Sequence, residues 1–424
     1  MIYPINLQKL LNDFTRLCIM KKKEYLNAEE FNAIFLKACE DHQNQRYEAA
    51  RSGYKKLLYH FADAPILHYN FGLLLYESQD FGEARKSFEC AAELQPSDND
   101  IIFNLALCCK QTGDIETALK YYKEVLKSEP ESIDALYNAA GCYRDLKYLD
   151  ESEHLYLRVL ELSPDHFSAN NNIAYVYHLS GDIKKAVFYF KRVLELRPEH
   201  KMAEYMLAAL TGAEVVASPK VYVKEVFDNY SNFYEKSLVE ELQYTVPESI
   251  REVVEKGSSW KKSFDCGLDL GCGTGLSGES FADLIRQLSG VDLSPRMIDI
   301  AREKGIYHFL TECDVNEFLA RDTRMYDFIL AADVFIYLGE LKETFRLLRQ
   351  RAAADVLFCF STESETGEGF SLRLTGRFAH SSHYIERVAC ATGWQILEKH
   401  TSAIRREKDA WIKGDLWFMK IKED

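Results

Sequence analysis

Two rhythms of apolar and polar residues divide the chain. In the N-terminal half apolar positions follow a helical period, and a longer period of 34 residues is laid over it. The small residues Ala50, Ala84, Ala118, Ser152 and Ala186 hold one register, and an aromatic follows each by four at Tyr54, Phe88, Tyr122, Tyr156 and Phe190. A second small series runs Ala38, Gly72, Ala106, Ala140 and Ala174, and Pro96, Pro130, Pro164 and Pro198 share the period. Such a register predicts paired helices. Small residues sit where two helices cross closely, the aromatic fills the gap to a neighbour, and the proline ends the second helix. The pattern predicts five pairs over 31–200 and a further helix near 201–211 that caps the last.

The second rhythm starts after an interruption at Gly212, Ala213, Ala217, Ser218 and Pro219. Ser218 before Pro219 marks a helix start, and that helix carries Phe227-Asp228-Asn229-Tyr230. Apolar runs then alternate with amphipathic stretches, predicting strands near 265–270, 289–292, 307–312, 326–332, 354–361, 395–403 and 415–421. The final two form a close pair. The expected organisation is a helical segment at 1–30, an all-α repeat superhelix over 31–212, and an α/β domain with a doubly wound, Rossmann-like seven-stranded sheet over 213–424.

The bulk composition narrows the classes. A length of 424 residues suits two or three domains, and 47% hydrophobic residues supports packed cores. A net charge of −14 argues against a nucleic-acid backbone as partner, which needs a basic face. The 11 Cys include the neighbours Cys108-Cys109 but no C-x-x-C pair, so neither a metal site nor a disulfide framework is expected, and a cytoplasmic protein with reduced thiols is. Lys9, Asp13 and Arg16 interrupt the N-terminal apolar pattern, against a signal peptide, and no run is long enough for a membrane span.

The repeat period and pattern resemble the tetratricopeptide repeat. Asn70, Asn104, Asn138 and Asn172 each precede a small position by two residues, about 200° of helix rotation, which turns them away from the partner helix and toward the groove. An Asn ladder with donors and acceptors suits an extended peptide, although solvation or bonds between repeats would equally explain it. Phe35, Tyr69, Phe103 and Tyr137 precede that ladder by one residue, and packing between adjacent repeats is expected of them. Lys110 and Arg144 are the evident groove cations.

The densest chemistry lies in Leu268-Asp269-Leu270-Gly271-Cys272-Gly273-Thr274-Gly275, with Val291-Asp292-Leu293 further on. This reads as a buried strand, a glycine turn, a helix and a second strand ending in an acid, the order that builds a nucleoside pocket. Asp292 is placed to accept from both ribose hydroxyls, since Ser294-Pro295 already supplies the next helix cap. Gly273, Gly275 and Gly278 also fit a dinucleotide fingerprint, but the turn starts at Gly271, and Asp269 would repel a pyrophosphate while suiting a cationic ligand end. Asp314 with Glu317 makes a capping box, and its carboxylate is also placed to take an adenine amino group. Ala331, Ala332 and Asp333 end the fourth strand at the edge where open α/β sheets hold ligands. Asp333, Tyr337, Glu363 and His380 are the candidate bases, with Asp333 and His380 nominated as catalytic.

With these residues together, the C-terminal half resembles class I S-adenosylmethionine-dependent methyltransferases, and the whole chain looks closest to the bacterial group fused behind tetratricopeptide repeats. The motifs that carry it include Phe227-Asp228-Asn229-Tyr230, Leu268–Gly278, Val291–Pro295, Ala331-Ala332-Asp333 and Gly376-Arg377-Phe378-Ala379-His380-Ser381. The resemblance implies S-adenosylmethionine as cofactor, with Asp269, Gly271, Gly273, Gly275, Asp292, Asp314 and Val315 touching it, Tyr230 closing over it and Ala332 leaving room for the sulfonium. The turn before the fifth strand departs from the family's Pro-Gly-Gly, reading Ala352-Ala353-Ala354-Asp355. Three readings follow: a methyltransferase whose repeats recruit a protein or extended peptide, one acting on a quinone-like or carboxylic small molecule with repeats for assembly only, and a peptide-binding adaptor with an inactive enzyme domain.

Overall fold

The computed structural model describes residue 26 and residues 28–230, 235, 237–407 and 410–422. The segment expected at 1–30 lies almost wholly outside these described residues. The chain forms two compact units that divide between Leu196 and Arg197, ahead of the boundary expected at 212. Among the described residues no helix is long and apolar enough to cross a membrane.

The described residues of the first unit form five helix pairs: α1 (Ala28–Gln43) with α2 (Tyr47–His60), α3 (Pro65–Glu77) with α4 (Phe81–Leu94), α5 (Asn99–Gln111) with α6 (Ile115–Ser128), α7 (Ile133–Asp145) with α8 (Leu149–Leu162), and α9 (Phe167–Ser180) with α10 (Ile183–Leu196). Ala50, Ala84, Ala118, Ser152 and Ala186 are fully buried, as are the five aromatics that follow them. The small positions are small for lack of room: a Cβ at Gly72 would lie 2.8 Å from the Phe88 ring. Ser152 is tolerated in that series because its hydroxyl donates to the Ala140 carbonyl at 2.8 Å.

The turn within each pair is set by position rather than by residue type. Gln45, Gln79, Gly113, Lys147 and Gly181, spaced by the repeat length, all have positive φ, between 57° and 87°. The N–H of Arg46, Asp80, Asp114 and Tyr148 each reaches back to a carbonyl five residues earlier, which closes the helix end around that left-handed residue. Asp80 and Asp114 then cap the following helices and accept from Arg51 and Arg85 of the preceding pair, at 2.7 and 3.0 Å.

The aromatics at 35, 69, 103 and 137 pack within their own pair, and Tyr69 and Tyr137 also meet the next repeat, as expected of them. Each meets the buried aromatic of its own pair, edge-on, at 6.2, 5.8, 5.4 and 5.8 Å respectively, because the two helices of a pair cross there. The Asn ladder splits by what stands 35 residues before it. Where that residue is a tyrosine, the Asn amide donates to it: Asn104 to Tyr69 at 3.2 Å and Asn172 to Tyr137 at 3.0 Å. Where it is Phe35 or Phe103, Asn70 and Asn138 donate back to their own helix, at Ile66 and Asp134. Asn70 is fully buried and Asn138 half-buried, so the four do not form one continuous polar rail.

Tyr122 offers a test of this packing. Its hydroxyl is buried with no partner among the described residues, whereas Tyr54 donates to the Cys39 sulfur and Tyr156 accepts from Asn172. The same register holds phenylalanine at 88 and 190. Tyr122→Phe should therefore stabilise the chain by about 1 kcal/mol in denaturant unfolding, through removal of an unpaired buried hydroxyl. A loss of that size would show that the hydroxyl is bonded.

The second unit opens with α11 (Lys201–Thr211) and α12 (Lys220–Tyr230). The Tyr205 hydroxyl of α11 donates to the Gly376 carbonyl at 2.8 Å and pairs with Ser218, which ties this helix to the α/β fold. A π-helical turn (Ser237–Glu241) and α13 (Val246–Lys256) precede β1 (Phe264–Leu270), α14 (Leu276–Phe281), β2 (Ile285–Asp292), α15 (Pro295–Glu303), β3 (Phe309–Glu312), α16 (Val315–Arg321) and β4 (Tyr326–Ala331). A 3₁₀ turn (Phe335–Tyr337), α17 (Lys342–Arg351), β5 (Ala352–Glu365), β6 (Phe370–Leu372), β7 (Phe378–Ser381), α18 (Ser382–Thr392), β8 (Trp394–Glu407) and β9 (Ala410–Ile421) complete it.

The sheet runs β3-β2-β1-β4-β5-β7-β6, parallel from β3 to β7. β9 lies antiparallel to β5 from Phe358 to Glu363, and β8 pairs with β9. Alternation along β4 feeds both faces: Ile329 and Ala331 join one core with Phe345 and Ile385, while Phe328 and Leu330 join another with Ile250 and Phe281. The seven expected strands are present, and β6 and β7 add a short hairpin that the sequence reading omitted. Ala352–Asp355 is not a turn; α17 runs directly into β5, whose pairing with β4 shifts register between Tyr326 and Phe328.

Candidate active site

The carboxyl ends of β1, β2 and β4 meet the start of α12 around one cavity. Its lining includes Lys220, Phe227, Gly271, Gly273, Asp292, Leu293, Asp314, Val315, Ala332, Asp333 and Tyr337. The β1–α14 turn needs its glycines. Gly271, Gly273 and Gly275 have φ of 61°, 53° and 92°, and a Cβ on Gly271 would lie 2.7 Å from a Val334 methyl.

Asp292, at the end of β2, joins the turn to the next helix. One carboxylate oxygen accepts from Gly273 N at 2.9 Å and the other from Ser294 N at 2.8 Å. Burial raises its pKa above the ordinary value, and these backbone donors pull it back. Ser294 accepts from Met297 N as the α15 cap and donates to Asp228 at 2.5 Å, so the Phe227-Asp228 end of α12 is anchored over β2. Tyr230 is the last residue of α12, and its side chain lies outside the described residues.

Asp314 is the expected helix cap and also lines the cavity. It caps α16 by accepting from Asn316 N and Glu317 N, each at 3.1 Å, and it faces the cavity with Lys220 3.4 Å away. Lys220 was not foreseen, since nothing local in the sequence links it to an acid 94 residues later (314 − 220).

Asp333 adopts φ 58°, unusual for a residue with a side chain. Its N–H donates to Ser361 Oγ at 2.8 Å, and its oxygens accept from Ser361 at 3.3 Å and from Arg405 at 3.0 Å. Arg405 is 1% exposed and also holds Glu363 and Glu407. Arg377 pairs with Glu407 and lies close to Tyr337, which packs edge-on to Phe227 at 5.5 Å. This buried charge network behind Asp333 escaped the sequence reading, because Arg405 on β8 and Arg377 in the β6–β7 loop reach it from parts of the chain distant in sequence.

Several expected residues, His380, Asp269, Gly275 and Glu363 among them, stand apart from the cavity lining. His380 is fully buried on β7, its Nε2 3.1 Å from the Gly339 carbonyl and its ring stacked on Tyr384. Burial lowers its pKa to about 4, so this neutral imidazole is packed on a strand paired on both sides, with β5 and β6, and is not presented to the cavity as a base. Asp269 is 1% exposed, with one oxygen accepting from Tyr307 at 2.7 Å and the other unpartnered among the described residues. Gly275 also lies outside the lining, as the left-handed cap residue of α14.

Comparison with known proteins agrees with both halves of this architecture. A methyltransferase-domain family model matches residues 268–352, and tetratricopeptide-repeat models match 35–99, 69–133 and 131–199. No curated protein matches the chain. Among solved structures, the chain is similar to YrrB, titled a TPR protein with an unusual peptide-binding site, at 19% identity over 47% of this chain and 97% of that one, with a TM-score of 0.39. It is also similar to the N-methyltransferase NodS of Bradyrhizobium japonicum in complex with S-adenosylhomocysteine, at 17% identity over 47% of this chain and 99% of that one, with a TM-score of 0.38. MamA of Desulfovibrio magneticus matches at 18% identity over 40% and 96%, with a TM-score of 0.39. The chain thus joins tetratricopeptide repeats to a methyltransferase domain.

Proposed function

We propose that this chain, a methyltransferase domain behind five tetratricopeptide repeats, transfers a methyl group from S-adenosylmethionine to an acceptor that the repeats recruit as, or on, a protein. The observation that carries the cofactor half is Asp292. Its carboxylate is fixed by Gly273 N and Ser294 N at the cavity wall beside the glycine turn, with lone pairs left for a ribose diol. Asp314 and Val315 line the adenine end, Ala332 leaves room at the end of β4, and the unpartnered oxygen of Asp269 suits the ammonium group of the amino-acid end.

A dinucleotide fits less well. The helix that would face a pyrophosphate, α14, has only six residues.

When bound, the cofactor supplies an electrophilic methyl carbon, and the chain's task is alignment in a pocket that excludes water. Asp333 contributes a fixed wall and not a free base, because Arg405 and Ser361 occupy both of its oxygens. On the repeats, half-buried Asn138 bonds only within its own helix, which leaves it the ladder position best suited to a peptide group.

Full-length protein incubated with cell extract and methyl-labelled cofactor tests both halves. Label is expected in protein, with S-adenosylhomocysteine competing and nicotinamide dinucleotides not. Label confined to small metabolites would remove the recruitment reading, and competition by a dinucleotide would remove the cofactor reading.

A further inference from the structure

We propose that Tyr307 is a positioning residue of the cofactor site: it grips one oxygen of Asp269 so that the other is held for the ligand's ammonium group. The inference rests on the cofactor reading above and adds to it a residue outside the cavity lining. Tyr307 precedes β3 and plugs the space behind the glycine turn. Cβ atoms built on Gly275 and Gly290 would lie 3.1 and 2.9 Å from its ring, and one on Gly278 would overlap its hydroxyl. Three glycines, from the β1–α14 turn, α14 and β2, therefore make room for this phenol.

The polar end of that plug has a specific target. The hydroxyl donates to Asp269 Oδ2 at 2.7 Å, while Oδ1 is buried without a partner among the described residues. The Gly278 backbone N–H also acts on this carboxyl, Asp292 and Cys272 face it, and none of the three carries a positive charge. A buried acid oxygen left unpaired is costly, and a bound cation removes that cost.

Burial pushes the Asp269 carboxyl up to about 7, and the Tyr307 hydrogen bond pulls it down. The sign follows. A raised acid pKa means the folded protein holds the proton that the ligand's ammonium must displace, so affinity rises as pH climbs toward about 7 and levels above it. Removing the phenol donor moves that midpoint upward.

Calorimetric affinity for S-adenosylhomocysteine, measured on the full chain between about pH 6 and pH 8.5, provides the test. Tyr307→Phe should bind about tenfold more weakly at pH 7 and recover to within about threefold at the alkaline end, as the carboxylate regains its charge. Gly278→Ala, which displaces the hydroxyl without touching it chemically, should shift the profile in the same direction. Equal weakening at every pH, or an unmoved profile in both variants while wild type binds, would overturn the inference alone. Absence of binding by wild type would overturn the cofactor reading and this inference with it.

Discussion

Replacing Arg405 with Leu should destabilise the second unit by about 3–5 kcal/mol, the scale for removing one partner from a buried ionic network. Arg405 is 1% exposed and bonds Asp333 and Glu407 at 3.0 and 3.2 Å, and Glu363 as well. Without it, Glu363, itself 3% exposed, keeps its burial cost and loses its principal countercharge. That carboxyl already has a raised pKa from burial, so the variant should protonate it and recover part of the loss in acid. The penalty is therefore larger above neutrality than near pH 5, where the proton substitutes for the missing guanidinium. Arg405→Lys should rescue only a fraction, since an ammonium cannot fork to three carboxylates. Denaturant unfolding followed by near-ultraviolet circular dichroism reads the effect, and a midpoint within error of wild type would show that the network is energetically idle.

Asp292→Ala should weaken S-adenosylhomocysteine binding by about 1.5–3 kcal/mol, roughly 10- to 150-fold, for loss of charge-assisted hydrogen bonds to the ribose. The structure adds a second cost. Gly273 N and Ser294 N lose their shared acceptor, so the glycine turn loosens even without ligand. Asp292→Asn keeps one acceptor oxygen for one of those donors and should fall between wild type and alanine in both affinity and melting temperature. Calorimetry on the three proteins decides the matter. An alanine variant with wild-type affinity would remove Asp292 from the ribose and, with it, the main support for the site.

What the sequence made legible was periodic or contiguous. The repeat register, the glycine turn, the Ser294 cap and the final strand pair each sit within a short window or recur at a fixed spacing. The buried charge network was illegible because Asp333, Glu363 and Arg405 are brought together by sheet pairing across 72 residues (405 − 333). His380 misled for the opposite reason. Its neighbourhood looks chemical in one dimension, yet strand β7, paired with β5 and β6, packs the ring against Tyr384. The split of the Asn ladder was readable in principle, since Tyr69 and Tyr137 stand 35 residues before Asn104 and Asn172 while phenylalanines precede the other two. Which Asn is braced depends on a single hydroxyl in the preceding repeat.

The left-handed turns have a consequence for how the repeat array is assembled and revised. Gln45, Gln79 and Lys147 accept a backbone conformation that Gly113 and Gly181 take without strain. The helices on either side impose the bend, and the residue at the bend follows. The Arg51–Asp80 and Arg85–Asp114 bridges recur at that same spacing, whereas the corresponding positions at the next junction are Leu119 and Tyr148, which cannot form an ion pair. The backbone bend is thus common to the pairs, while the side-chain fit is particular to each junction. Duplication or excision of one 34-residue unit would keep every bend and change which side chains meet where new neighbours join.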